Sequence, residues 1–211
     1  VGPAPAWRGA QFTDLILLRD PRMSRPANTA AWLDALNPGR WHHVREGHAD
    51  DAARIARAIT GTSVGLVLSG GGARAYAHIG VIRALHEAGV TLDALGGSSM
   101  GAVVAAGPAL GWTDDEMEAR IRKAFVESDP LSDLAFPIIA MTRAKKVERL
   151  LQDAYGEVEI EDMPLPFFCI SSNLTSGHVR IHRRGLLREA MRASISIPGV
   201  MPPVVMDDQV L

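Results

Sequence analysis

The aliphatic run Val64 to Leu68 is stopped by Ser69-Gly70-Gly71-Gly72, and helix-spaced apolar residues resume at once. No other stretch limits the fold as tightly. A short β-branched and aliphatic run reads as a strand buried on both faces. Three glycines turn the chain, and Ile79, Ile82, Ala84, Leu85 and Ala88 follow at helical spacing, with Gly89 as the stop. The pattern then recurs. Thr91 to Leu95 reads as a strand, Gly96 to Gly101 as a tight turn, and Ala102 to Leu110 as a buried helix. Thr113 and Glu116 form a capping box for a helix through about Phe125. Ala144 to Tyr155 and Leu186 to Ser194 read as helices, Phe167 to Ser171 and His178 to His182 as strands. Val204 to Met206 and Val210-Leu211 read as strand pieces around an Asp207-Asp208-Gln209 turn. Strands alternating with helices predict an α/β fold, with a largely parallel central sheet covered on both sides.

Upstream of about residue 62 the composition differs, with Pro21, Pro26, Pro38 and Trp32. Leu15 to Leu18 fits a strand and Thr29 to Leu36 a helix. Asp50 to Ile59 fits a second helix, capped by Asp50 or Asp51, with Ala52, Ile55, Ala56 and Ile59 inward and Thr60-Gly61 at its end. We therefore divide the chain into an upstream segment, 1–62, and a main domain, 63–211. Val1 stands where Met would, and Leu211 falls inside what reads as a strand, so a longer parent is expected and the domain is read as incomplete at its C-terminus.

Composition removes several classes of function. Lys plus Arg is 22 against 24 Asp plus Glu, a formal net charge of −2, so no basic excess is present to hold nucleic acid. One cysteine, Cys169, excludes a disulfide framework and a cysteine-rich metal site, and it reads as a small core residue. No run of apolar residues is long enough to span a bilayer.

The sharpest motif is Gly97-Ser98-Ser99-Met100-Gly101, a G-x-S-x-G pentapeptide between a strand and an apolar helix. A cramped strand-to-helix turn pushes its serine out of the sheet, and the flanking glycines let the backbone fold that sharply. Ser99 is thus a candidate nucleophile at a helix N-terminus, with Gly97 and Gly101 as the elbow. The triglycine loop admits two readings. Its bare N–H groups could form an oxyanion hole facing Ser99. Alternatively, Gly70-x-Gly72-x-x-Ala75 fits a Rossmann-like dinucleotide fingerprint, with Asp93 at a suitable distance for a ribose contact. The serine turn one helix and one strand later favours acyl transfer, which needs both parts.

A serine nucleophile needs a base. The only histidines after Ser99 are His178 and His182, which share a strand face with Arg180 and read as solvated. His42 and His43 are adjacent and read as loop or surface. His78 and His86 have no acid at ligand spacing, and no metal site is expected.

The two motifs together resemble the patatin-like phospholipases. The wording from Val64 to Gly80, with Ala-His-Ile-Gly after the glycine loop, is similar to bacterial proteins related to neuropathy target esterase. So are the stretch Ala193-Ser194-Ile195-Ser196-Ile197-Pro198-Gly199, the Pro202-Pro203 pair and the upstream segment with Trp32 and His42-His43. The resemblance implies a patatin-like three-layer α/β/α sandwich and a Ser–Asp dyad, with Ser99 as nucleophile. The oxyanion hole would come from Gly70, Gly71 and Gly72, with Arg74 fixing that loop. It implies a phospholipid or lysophospholipid substrate, no cofactor, a cytoplasmic or peripheral membrane location, and cyclic-nucleotide-binding-like domains upstream in the parent. A catalytically dead member serving as an interaction domain is the other outcome the family allows. The family's Asp-Gly-Gly or Asp-Gly-Ala motif does not occur here, and its expected place lies just beyond Leu211. Asp207 and Asp208 are the tempting substitutes, but they read as a hairpin turn. Ala75 stands where the family usually has glycine. If that position needs positive φ, alanine costs on the order of 1 kcal/mol, and if it is helical, alanine is harmless.

Overall fold

The computed structural model describes residues 13–128 and 142–211. Strand β1 (Asp14–Arg19) pairs in parallel with β2 (Arg40–Arg45) through the connecting helix α1 (Thr29–Leu36), and α2 (Ala49–Thr60) packs on β2. The main sheet has the order β3 (Gly65–Leu68), β4 (Ala94–Ser98), β5 (Phe167–Ser172), β6 (Val179–His182). Its first three strands are parallel and β6 is antiparallel. Helix α3 (Ala77–Glu87) joins β3 to β4. Between β4 and β5 come α4 (Met100–Ala109), α5 (Asp114–Ile121) and α6 (Lys145–Tyr155). Helix α7 (Leu187–Ser194) and the hairpin β7 (Val205–Met206)–β8 (Gln209–Val210) complete the described chain. This is the predicted layered arrangement, a mostly parallel sheet with helices on both sides.

The centre of the core is α4. From Gly101 to Ala109 every residue is buried, as expected of a helix apolar on all faces. Its small side chains bring it close to β3, β4 and β5 together. Tyr155 of α6 is buried against it, stacked on Trp112, and donates its hydroxyl to the Val103 carbonyl at 3.1 Å. Cys169 is fully buried in β5, and burial pushes its thiol up to about 12, so it is packing and not chemistry. At α5 the predicted capping box is present, with both Thr113–Glu116 hydrogen bonds made.

Several sequence expectations are corrected. Strand β4 starts at Ala94 and runs through Gly96, Gly97 and Ser98, which had read as turn. Gly96 and Gly97 are paired in register with Val67 and Leu68 on one side and Phe168 and Cys169 on the other. A Cβ on Gly96 would lie 2.3 Å from the Phe168 ring, so glycine is kept for room and not for turning. Strand β3 is not buried on both faces. It lies at the sheet edge, and Val67 is 66% exposed. On α2 the inward residues are Arg54 and Ile55, while Ile59 faces solvent. Asp51 does not cap that helix but clamps Arg45 through two side-chain bonds of 2.9 and 3.0 Å. His42 and His43 are buried on β2, not at the surface. They point to opposite sides, and both sides are covered. His43 donates from Nε2 to the Glu161 carbonyl at 2.8 Å, and His42 lies 3.7 Å from Asp14.

Candidate active site

Ser99 occupies the single residue between β4 and α4, with φ 51° and ψ −132°. A non-glycine residue in that region stores strain on the order of 1–3 kcal/mol, which persists only where the surroundings dictate it. Here they do. A Cβ on Gly97 would lie 2.6 Å from the Ala102 nitrogen, and one on Gly101 would lie 2.3 Å from the Ser69 carbonyl oxygen and 2.4 Å from that of Leu68. The first turn of α4 therefore rests directly on the ends of β3 and β4, and the chain has one residue in which to reverse. The Ser99 carbonyl accepts the first helical bonds, from the N–H groups of Ala102 at 2.9 Å and Val103 at 3.2 Å. The side chain thus projects at the positive end of a helix.

The glycine loop lies alongside. A Cβ on Gly70 would be 3.0 Å from the Ser99 Cβ, so the Gly70 backbone stands beside the serine side chain. Gly71 is extended, and Gly72, at φ 54°, turns the chain into a 3₁₀ turn spanning Gly72–Tyr76. The Arg74 N–H closes the loop onto the Gly71 carbonyl at 3.2 Å, and the Arg74 side chain is exposed. Ala75 is buried within this turn and is not among the residues with positive φ, so alanine there is unstrained.

Two positioning contacts escaped the sequence reading. Ser194, the last residue of α7, accepts the Ser99 backbone N–H on its Oγ at 2.8 Å. His78 Nε2 donates to the Ser69 carbonyl at 3.0 Å, tying α3 to the start of the glycine loop. Nothing in local spacing signals either contact. Ser194 had entered only as part of a family-like stretch, and His78 only as a lone histidine. A cavity of about 250 Å³ opens beside the elbow, lined among others by Ser98, Ser194, Ser196, Leu174, Val179 and Leu211.

The candidate bases separate clearly. Asp207 and Asp208, at φ 48° and 58°, form the two-residue β7–β8 turn in left-handed backbone, as their reading as a hairpin requires. Asp207 is largely exposed and pairs with Arg180, and neither aspartate lines the elbow cavity. His178 is exposed, as expected, but His182 is not. It is buried against Ser171 Oγ at 2.8 Å, and burial, with Arg180 nearby, holds it at about 4, so it is neutral. No hydrogen bond joins it to Ser99. His86 does find an acid, Asp114 of α5 at 2.9 Å, through the fold and not through spacing. Asp93 cannot serve a ribose. Its carboxylate is buried and already accepts from Arg57 and from the Val64 N–H. Among the described residues no group of three or more His, Cys, Asp or Glu could hold a metal ion, and no helix is long and apolar enough to cross a membrane.

Residues 66–211 match the family described as patatin-like phospholipase. An uncharacterized NTE family protein of Mycobacterium tuberculosis is 40% identical over 230 residues, covering 100% of this chain and 39% of its own length. Neuropathy target esterase sws of Drosophila sechellia is 33% identical over 227 residues, covering 90% of this chain and 15% of its own length. Among solved structures, VipD from Legionella pneumophila is similar at a TM-score of 0.48 and 16% identity, over 70% of this chain and 45% of that one. The serine turn and the glycine loop beside it both fall within the matched residues, and the chain belongs to the patatin-like phospholipase family.

Proposed function

We propose that residues 63–211 carry the acyl-hydrolase machinery of a lipid esterase, preceded by the segment 1–62. Ser99 Oγ attacks the carbonyl carbon of a fatty-acyl ester, of the phospholipid or lysophospholipid class. The Ser–O–acyl bond forms, the ester C–O bond breaks, and the alcohol leaves with the proton taken from the serine. Water then hydrolyses the acyl-enzyme and releases a carboxylic acid. The N–H groups of Gly70, Gly71 and Gly72 hold the oxyanion, and Arg74 helps fix their loop. The base is an aspartate following Leu211 in the parent chain. What supports that placement is that Leu211 is buried and lines the cavity beside the elbow, while Asp207 pairs with Arg180 and neither Asp207 nor Asp208 lines that cavity. The substrate's insolubility makes the working location a membrane surface, met peripherally.

The observation that carries this reading is the backbone of Ser99, held in a strained conformation with Gly70 against its side chain. A fluorophosphonate probe applied to the full-length parent should label Ser99, and Ser99→Ala should lose labelling and at least about 10³-fold of esterase activity. A folded parent that shows no labelling, or Ser99→Ala with unchanged turnover, overturns the proposal. It leaves a member of the family that no longer hydrolyses.

A further inference from the structure

At the opposite end of β4 from Ser99 lies a second cavity, of about 280 Å³, between the β1–β2–α2 unit and the start of the main sheet. Along β4, Ala94 at its wall and Ser99 are five residues apart, roughly 16 Å at the usual rise of a strand. Its apolar walls are Trp41, Leu95, Pro166, Phe167 and Phe168. Its charged lining is three arginines, with Arg54 buried and Arg40 and Arg183 more exposed, and one carboxylate, the buried Asp93.

Arg54 is the unusual group. It is only 4% exposed, and its Nη2 donates to the His43 carbonyl, but among the described residues its Nη1 has no partner. The carboxylates near it are committed elsewhere. Asp51 is clamped by Arg45, and Asp93 by Arg57 and the Val64 N–H. A second lining residue, His42, also keeps a buried nitrogen, Nδ1, without a partner. Arg40 is neutralised by Asp14, whereas Arg183, an exposed residue, forms no ion pair among the described residues. Burial lowers the affinity of Arg54 for its proton, and the charges of Asp51 and Asp93 only partly offset this. Nature rarely buries such a charge unless something answers it.

We propose that this cavity binds a small amphiphilic carboxylate, with its head on Arg54 and Arg183 and its apolar body against Trp41, Phe167 and Phe168. At about 30 Å³ per water-sized group, the volume takes roughly nine or ten non-hydrogen atoms, the size of octanoate. Bare phosphate would satisfy the arginines and leave the aromatic walls wet. An alcohol of the same length would fill the walls and leave the arginines unanswered. The site is separate from the serine elbow, so a carboxylate can bind here whether or not Ser99 is a nucleophile.

The test is calorimetric titration of the full-length parent with octanoate, octanol and inorganic phosphate, alongside Trp41 fluorescence. Saturable octanoate binding that changes Trp41 emission, absent in Trp41→Phe, is expected, with octanol and phosphate at least about tenfold weaker. Arg54→Met should abolish binding. Arg183→Gln, at an exposed position where folding is not at risk, should weaken it roughly tenfold. Neither variant should change serine labelling. Phosphate binding as tightly as octanoate overturns the proposed ligand class. Octanoate binding unaffected by Arg183→Gln in a folded protein, or no saturable binding, overturns the site.

Discussion

The two ends of β4 are held by different forces. At its C-terminal end, Gly97 and Gly101 meet neighbouring backbone at distances no Cβ can share, and shape chiefly dictates the bend at Ser99 between them. At its N-terminal end, Asp93 pairs with Arg57, Arg54 and His42 lie buried in the same cavity wall, and His43 is buried on the other side of β2, so charge and hydrogen bonding dominate. One strand thus joins a region held mainly by steric contact to one held mainly by charged and titratable groups. The bend itself is built from backbone contacts. A polar site is left to groups whose state can change.

The largest expected effect tests the crowded end. Gly101→Val drives a side chain into the carbonyls of Leu68 and Ser69, and it should cost at least about 4 kcal/mol, leaving no cooperative unfolding transition by circular dichroism. A folded Gly101→Val variant would break the claim that shape governs this end. At the other end, Asp93→Asn should cost about 2 kcal/mol in denaturant titration, less than a fully buried pair because solvent reaches Arg57. The folded Asp93 carboxyl lies below its ordinary 3.8, so its contribution is present above that pH and fades as pH falls through the folded value. The variant should lose this part of the acid sensitivity.

His43 sharpens the contrast at milder pH. Burial keeps it neutral, below its ordinary 6.5, so stability is full above pH 6.5 and declines as acid forces it to charge. Each such histidine contributes a slope of up to about 1.4 kcal/mol per pH unit, and His43→Gln should flatten the decline below pH 6.5. The smallest effect belongs to the glycine loop. Gly72 sits at φ 54° with open space around it, so Gly72→Ala should cost only about 1 kcal/mol, from backbone strain alone. A cost several times larger would mean that crowding reaches the loop as well.

The same contrast explains what the sequence made legible. The elbow could be read because its requirement is local, small residues at fixed spacing between a strand and a helix. Helix α1 and the stop at Gly61 were legible for a similar reason, since propensity and a left-handed glycine act within a few residues. The burial of Arg54 in place of Ala52 or Ile59 was not legible, because its reason is the His43 carbonyl on a different element. The extent of β4 was misread because glycine normally signals a turn, whereas Gly96 serves to clear the Phe168 ring across the sheet. The Ser194 brace lay furthest from view, since a serine's hydrogen-bond partner cannot be deduced from spacing.

That brace has a consequence for how the protein is born. Ser99 and Ser194 are 95 residues apart, so at ordinary translation speeds the elbow emerges from the ribosome on the order of five to twenty seconds before its support exists. A nascent chain therefore carries Ser99 early and tightens it late. The turn is braced only once α7 exists, and an interrupted translation product ending before that helix would display Ser99 without this hydrogen bond.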